Sequence, residues 1–477
     1  MAELILALDV GTTSVRAGVV SPQGEILAIA KAALATSAPA PGRAEQDPER
    51  VWRAAQAVIR RSLGSARVRA ADLAAIGIAS QRTSIVLWDR IAGAPLCPMV
   101  LWSDLRGISE AAKLRGEGFV MAAQQAAAKL ERLAKDAAAP GRRIAYGGVD
   151  SFLIWKLSGG SAHLTDWSEA WPTGYFDLTA GGWNRKLMAR QGLEEAMFPA
   201  LGETWGELAR VDRRILGAEV AISAVIADQQ AALLAHGGAA KLTLGTAACL
   251  DIPTGEKAIA KDPAMPPFIV SQVAGKTNWS IEAMAPAAGS ALDWLRTLMG
   301  RISPAKFEAL AASAPSSAGV AFLPALSGLG APRPDSSRAG ALVGLTSSAG
   351  RGEIARAAIE GVALTIRDMT EALFRLADHP LPSALGVDGG LSANETLLQS
   401  LADALVLPVK RHAEREATLL GAALAAGLGG GLLSQADSAR FCRYDRLFEP
   451  QIGADEANAR HHTWRRAIFA ETPVSIS

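Results

Sequence analysis

Residues 4–20 read LILALDVGTTSVRAGVV, and the fold turns on how this stretch is broken. An apolar run from Leu4 to Val10 stops at Gly11-Thr12-Thr13-Ser14 and resumes to Val19-Val20. After the turn Ser21-Pro22-Gln23-Gly24 a third run follows, Ile26 to Ala30. Apolar runs separated by short turns rich in Gly and hydroxyls predict a three-stranded meander. Asp9 sits at the end of the first strand, where a carboxylate is costly to bury without a partner. Two readings stand at this point. Asp9 caps its own turn, or the turn is a phosphate cradle of N–H and hydroxyl donors with Asp9 facing Mg²⁺ or its water shell.

A second strand-turn-strand unit, KLTLGTAACLDI at 241–252, again sets a Gly-Thr pair, Gly245-Thr246, between two apolar runs. Two such hairpins, each heading an α/β segment of about 200 residues, point to a duplicated two-domain architecture. The expected domains are 1–236 and 237–436, parted near His236-Gly237-Gly238, with a helical extension over 437–477. Asp47 and Pro48 open a helix to Leu63, strands are expected at 75–79 and 85–88, and helical periodicity marks 287–299, 353–376, 394–404 and 417–426.

The 477-residue length allows two to four domains, and a 49% hydrophobic fraction excludes a disordered chain. With 48 Lys+Arg against 47 Asp+Glu, nothing in the charge favours nucleic acid or an anionic membrane. Cys97, Cys249 and Cys442 are odd in number and lack CxxC spacing, which argues against a disulfide framework or a zinc site and for a cytoplasmic setting. The N-terminal stretch lacks the basic region and long apolar run of a secretory signal, and no apolar stretch reaches a membrane span.

Several polar interruptions lie beside apolar runs, where loops at strand ends meet ligands: Asp228-Gln229-Gln230, Gly245-Thr246, Gly289, and Asp388-Gly389-Gly390 with Asn394. No GxxxxGK and no GxGxxG after a strand is present, so P-loop and Rossmann nucleotide binding are disfavoured.

Taken in order, LDVGTTSVRAGVV, AEQDPERVW, GIASQRTSIVLWD, VLWSDLRG, DSFLIWKLSGG, HLTDWSEA, IADQQAALL, LTLGTAACL, AGSALDWLR, FLPALSGLGAP, VDGGLSANETLLQSLAD and EATLLGAALAAG resemble the landmarks of the FGGY carbohydrate kinases, and within them the glycerol kinases. Residues 340–360, GALVGLTSSAGRGEIARAAIE, match the family's C-terminal signature. The resemblance runs from about residue 4 to about 430. It implies an α/β chain of two ribonuclease H-like (actin-like ATPase) domains with an inter-domain cleft. The activity implied is ATP- and Mg²⁺-dependent phosphorylation of a terminal hydroxyl of a small polyol or sugar. It also implies a homodimer or tetramer. By position, Asp9 resembles the Mg²⁺-organising acid, Gly11, Thr12 and Thr13 the first phosphate loop, and Arg16 a phosphate-proximal arginine. Gly245 and Thr246 resemble the second phosphate loop, Gly289 a backbone approach to the nucleotide, and Gly390 with Asn394 the adenine side. Asp228 resembles the catalytic base, and Arg82, Trp102 and Gln229 the polyol contacts.

Departures from the glycerol kinases fall on the acceptor side. Their QRE is Gln81-Arg82-Thr83 here, an aromatic after the second phosphate loop is Cys249, and a tyrosine expected about five residues before Lys129 is Gln124. The first FGGY signature has Arg132 where a Trp is usual, and Arg333-Pro334 replaces an aromatic pair. A pocket that loses an acceptor and aromatics discriminates differently among hydroxyl patterns, so a four- or five-carbon polyol or ketose rivals glycerol. Two alternatives remain: a pentulose kinase such as xylulokinase, which usually carries a Met-His pair at Arg82-Thr83, and a non-catalytic actin-like nucleotide-binding module.

Overall fold

The computed structural model describes residues 3–469. The described chain forms two compact units, the first built from 3–237, 268–279 and 418–442, the second from 238–267, 280–417 and 443–469.

In the first unit, β1 (Leu4–Val10), β2 (Ser14–Val20) and β3 (Ile26–Ala33) form the antiparallel meander expected from the sequence. β4 (Leu73–Ser80) runs parallel to β1, β6 (Ala221–Ala227) runs parallel to β4, and β5 (Trp205–Arg210) closes the edge antiparallel to β6. The order is β5-β6-β4-β1-β2-β3. Leu6, Leu8 and Val10 alternate into the core, where they meet α1 (Pro48–Ala66). That helix starts as the sequence predicts: the Asp47 side chain accepts the Glu49 N–H, Pro48 needs no donor, and Val51, Ala55, Val58 and Ile59 form one buried face. Two further helices of this unit bear on the site, the single turn α2 (Trp167–Ala170) and α3 (Asp228–Ala235).

Register decides what gathers at one end of this sheet. Val10 pairs with Ser80, and Ser80 with Ala227. Three adjacent strands therefore end level, and the next residues, Gly11, Gln81 and Asp228, emerge together at the carboxyl edge where α/β sheets bind ligands.

The second unit repeats the plan. β7 (Lys241–Leu244) and β8 (Ala248–Gly255) form an antiparallel hairpin, and β11 (Leu385–Asp388), β12 (Val409–His412) and β13 (Tyr444–Phe448) extend its sheet; β9 (Pro267–Val273) and β10 (Lys276–Ala285) follow β8 in the chain, and residues 268–279 within them belong to the first unit. β7 runs parallel to β11, as β1 does to β4. Helices α4 (Gly289–Leu298), α5 (Arg351–Ala377) and α6 (Glu395–Leu405) flank it. The buried Lys241 ammonium lies 2.9 Å from Asp251 Oδ2, so a charge inside the sheet is met by its opposite.

At two places the contacts group the chain differently from the expected boundaries. Helix α7 (Ala417–Gly429), expected to close the second domain, belongs to the first unit from Thr418 on. The helix is apolar on nearly every side and packs its backbone tightly: a Cβ on Gly421 would lie 1.7 Å from the Ala231 carbonyl oxygen of α3. The final segment is not purely helical, because β13 joins the second sheet before α8 (Ala454–Phe469) begins. Trp464 of α8 donates to the Phe322 carbonyl at 3.0 Å and anchors that helix to the second unit.

Candidate active site

Asp9 and Arg16 face each other directly across the β1–β2 ladder, and their side chains form an ion pair at 2.7 Å. Asp9 is only 5% exposed, so the partner required by its burial is supplied by the opposite strand. Between them the Gly11 N–H donates to the Ser14 carbonyl at 3.1 Å. Thr12 is fixed on several sides. Its Oγ1 donates to Gln81 Oε1 at 2.9 Å and accepts from Trp102 Nε1 at 3.0 Å, while its carbonyl accepts from Gln46 Nε2 at 2.6 Å. Thr13 is the exposed residue of the loop.

The loop after β4 supplies the next groups. Gln81 donates its N–H to the Val10 carbonyl at 3.0 Å, tying this loop to the first. Arg82 stacks its guanidinium 4.2 Å from the centroid of Phe268, and its Nε lies 4.0 Å from Asp228 Oδ1. Thr83 has φ 60°, a left-handed conformation that a β-branched residue rarely adopts and that clusters at functional sites. Ser84 Oγ accepts the Trp102 N–H at 3.1 Å. The Trp102 loop is braced beneath by Arg106, which bonds both Asp104 and Glu45. Burial pushes the Asp104 carboxyl up, but bonds from Arg106 and the Ala44 N–H outweigh it and hold Asp104 below its ordinary value.

Asp228 is the first residue of α3 and directly follows β6; its Oδ1 accepts the Gln229 N–H at 2.7 Å. The first unit thus brings together Asp9, Gly11, Thr12, Thr13, Arg16, Arg82, Thr83, Trp102, Asp228 and Gln229 at one sheet edge.

In the second unit, Gly245, Thr246 and Gly289 come together at the end of β7. The Gly289 N–H donates to the Gly245 carbonyl at 3.1 Å and the Ser290 N–H to the Thr246 carbonyl at 3.2 Å. A Cβ at Gly289 would stand 2.4 Å from that Gly245 oxygen, so the close approach alone requires glycine. Gly390 follows β11, the strand beside β7, with open space where a side chain would be. Asn394 caps α6, its Oδ1 accepting the Leu397 N–H at 2.8 Å, which leaves the amide group for any ligand. Cys249 lies on β8 opposite Thr243 and is nearly buried. Gln124 and Arg333 are exposed loop residues.

Four residues without a role in the sequence reading belong here: Gln46, Gln81, Phe268 and Glu169. Gln46, Gln81 and Glu169 lie inside quoted motifs, so their positions were visible but their bonds to Thr12 and Ser80 were not. Phe268 arrives from β9, nearly 190 residues after Arg82, and no local pattern announces the pair. Glu169, in α2, is 3% exposed, and its Oε1 accepts from Ser80 Oγ at 2.7 Å. Burial, with Asp150, Asp166 and Asp228 nearby, raises the Glu169 carboxyl well above the usual range, and burial lifts Asp150 and Asp166 to about 6.

Models of the FGGY family of carbohydrate kinases match residues 4–235 (N-terminal domain) and 240–429 (C-terminal domain). A glycerol kinase of Dechloromonas aromatica is 38% identical over 98% of this chain and 97% of its own length. Among solved structures, Plasmodium falciparum glycerol kinase with ADP superposes with a TM-score of 0.87 at 23% identity, covering 98% of this chain and 97% of that one. The xylulose kinase of Rhodospirillum rubrum superposes at 0.80 with 27% identity, covering 97% of each. The two-domain actin-like ATPase fold is thereby established, and with both family models matched in order along nearly all its length, this chain belongs to the FGGY family of carbohydrate kinases, enzymes that transfer a phosphoryl group to an alcohol.

Proposed function

We propose that the protein transfers the γ-phosphoryl group of ATP to a terminal hydroxyl of a small polyol or sugar. The observation that carries this reading is the level ending of β1, β4 and β6, which presents a phosphate-type turn, an arginine and a carboxylate at one edge. Phosphoryl transfer through a loose transition state needs positioning and charge neutralisation more than covalent help, and these groups divide that work. Asp228 accepts the proton of the attacking hydroxyl as the bond to phosphorus forms. Arg82, held between Phe268 and Asp228, and the Trp102 and Gln229 side chains orient the acceptor. Thr12, locked by Gln81 and Trp102, and Thr13 with the Gly11 amide cradle phosphate oxygens, with Arg16 beside them. Gly245, Thr246, Gly289, Gly390 and Asn394 are assigned to the remainder of the nucleotide.

Mg²⁺ fits this donor set. Asp9 offers one buried carboxylate, and among the described residues no cluster of three or more His, Cys, Asp or Glu forms an all-protein cage. One carboxylate with water and phosphate oxygens is a usual arrangement for this ion, which neutralises phosphate charge when bound. A cytoplasmic setting is in keeping with three free cysteines, and a homodimer or tetramer is the family-level expectation.

Thr83 favours an acceptor longer than glycerol, because the loop carries a short neutral hydroxyl beside Arg82. A coupled ADP-release assay with glycerol, erythritol, xylulose and ribulose tests both points. ATP binding without turnover on any of them would refute the kinase reading and support a nucleotide-binding module.

A further inference from the structure

The loop lacks a carboxyl at Thr83, yet a carboxyl stands nearby on another element. Ser168 and Glu169 of α2 bond successive strand ends: Ser168 Oγ accepts the Ala227 N–H at 2.8 Å, and Glu169 Oε1 accepts the Ser80 hydroxyl at 2.7 Å. The residues that follow those two are Asp228 and Gln81, so α2 bridges the strand ends that launch the base and the acceptor loop. A cavity of about 10 Å³ lies there, lined by Thr83, Ser84, Asp150, Thr165 and Glu169 among others. Its size suits one water or one hydroxyl group. Asp150 is 0% exposed and its Oδ1 has no hydrogen-bond partner, although Oδ2 accepts from Thr165 at 2.6 Å. An unanswered buried acceptor beside a hydroxyl-sized space calls for a donor.

We propose that Glu169 is a specificity-determining residue of the acceptor site, receiving from α2 a hydroxyl of a neutral polyol or ketose longer than glycerol. This rests on the kinase reading and deepens it. The extra hydroxyl enters the space below Thr83, where Glu169 and Asp150 answer it. The space is lined by no Lys, Arg or His, so it offers no positive charge to an acceptor that bears its own carboxylate, and such an acceptor is disfavoured. Glu169 does the work that a carboxylate in the loop would do, from a different element.

The test compares wild type, Glu169→Asp, Glu169→Gln and Thr83→Glu on glycerol, erythritol, xylulose, ribulose and gluconate, by initial rates and by ligand-induced shifts in Tm. Wild type should favour a four- or five-carbon neutral acceptor over both glycerol and gluconate. Glu169→Asp, which retracts the carboxyl by one methylene, should lower kcat/KM for that acceptor about tenfold or more, mainly through KM, and change glycerol less than about threefold. Thr83→Glu fills the same space from the loop, leaves α2 intact, and should shift the ratio toward glycerol by a similar factor. An equal loss on every acceptor, carried in kcat, would overturn the proposal and make Glu169 a brace for Ser80. An unchanged ratio in folded Thr83→Glu overturns it as well. Wild type that turns over glycerol best, with ratios unmoved in the variants, overturns this inference alone. Wild type neither active with nor stabilised by any of the five overturns the kinase reading and this inference with it.

Discussion

Replacing Gly421 with alanine sets two effects of opposite sign against each other. Gly421 lies inside α7, and in a helix interior Gly→Ala ordinarily stabilises by about 1 kcal/mol. Here the added Cβ would lie 1.7 Å from the Ala231 oxygen and 2.4 Å from its carbon, both inside the 3.0 Å floor for real Cβ contacts and the oxygen by about 1.3 Å. Both atoms are backbone, so no rotamer change relieves the clash and one helix must move. Overpacking of this kind costs about 1–3 kcal/mol or more, which exceeds the propensity gain. The displaced partner matters more than the energy. Ala231 sits three residues after Asp228 on the same short helix, and a shift near 1 Å at a catalytic group costs about 100-fold in rate. Gly421→Ala should therefore lower Tm and reduce kcat by about two orders of magnitude. Gly64→Ala in α1, where nothing lies within 4 Å of the new Cβ, is the matched control and should raise stability by about 0.5–1 kcal/mol with unchanged activity. Thermal unfolding and the coupled ADP assay on both variants read this out. A Gly421→Ala protein as stable and active as the Gly64→Ala control would refute the backbone contact between α7 and α3.

Asp228→Asn keeps the size of the side chain and removes proton acceptance, so ATP binding by calorimetry should persist while kcat falls by about 10² to 10⁴; more than a tenth of wild-type turnover would reassign the base. Trp102→Phe deletes the donor to Thr12 Oγ1 while Gln81 still holds that hydroxyl, so kcat/KM should fall only about three- to tenfold in steady-state assays, the worth of one neutral hydrogen bond. Asp150, raised by burial to about 6, binds more protons folded than unfolded between about pH 4 and 6, so the stability it contributes is full below its unfolded value and lost as pH rises through 6. Asp150→Asn should accordingly raise Tm at pH 8, by up to on the order of 3 kcal/mol of stability, with the advantage gone at pH 4; an equal effect at both pH values would count against the shift.

What the sequence made legible was local. A turn such as Gly11–Ser14 between two apolar runs declares itself because the hairpin forms from neighbours, and Asp47-Pro48 announces a helix start because capping is satisfied within three residues. The same holds for α4, α5 and α6, whose periodic faces are written in consecutive turns. What escaped was the pairing of distant pieces. Helix α7 looks like the end of a second domain because it follows that domain in the chain, yet its glycines and alanines exist to lie against Ala231 and Gly77 of the first unit. Phe268 under Arg82 and Glu169 on Ser80 are of the same kind, each a residue of ordinary local meaning brought to the candidate site by a partner many residues away.

The acceptor side shows why a comparison by position misleads more there than at the phosphate turn. A phosphate cradle is made by consecutive backbone groups, so its chemistry travels with its motif. An acceptor pocket is made by side chains from unrelated elements, and a group lost from one wall can return from another. Cys249 and Thr83 mark an aromatic and a carboxylate missing from their motif positions, but the first unit carries the ring of Phe268 beneath Arg82 and the carboxyl of Glu169 beside Thr83. On the proposed reading the pocket that sequence alone describes as emptied is rearranged instead: its aromatic and acidic groups come from β9 and α2, and a carboxyl that shares a hydroxyl-sized space with Thr83, rather than standing on the loop itself, is what favours a longer neutral acceptor.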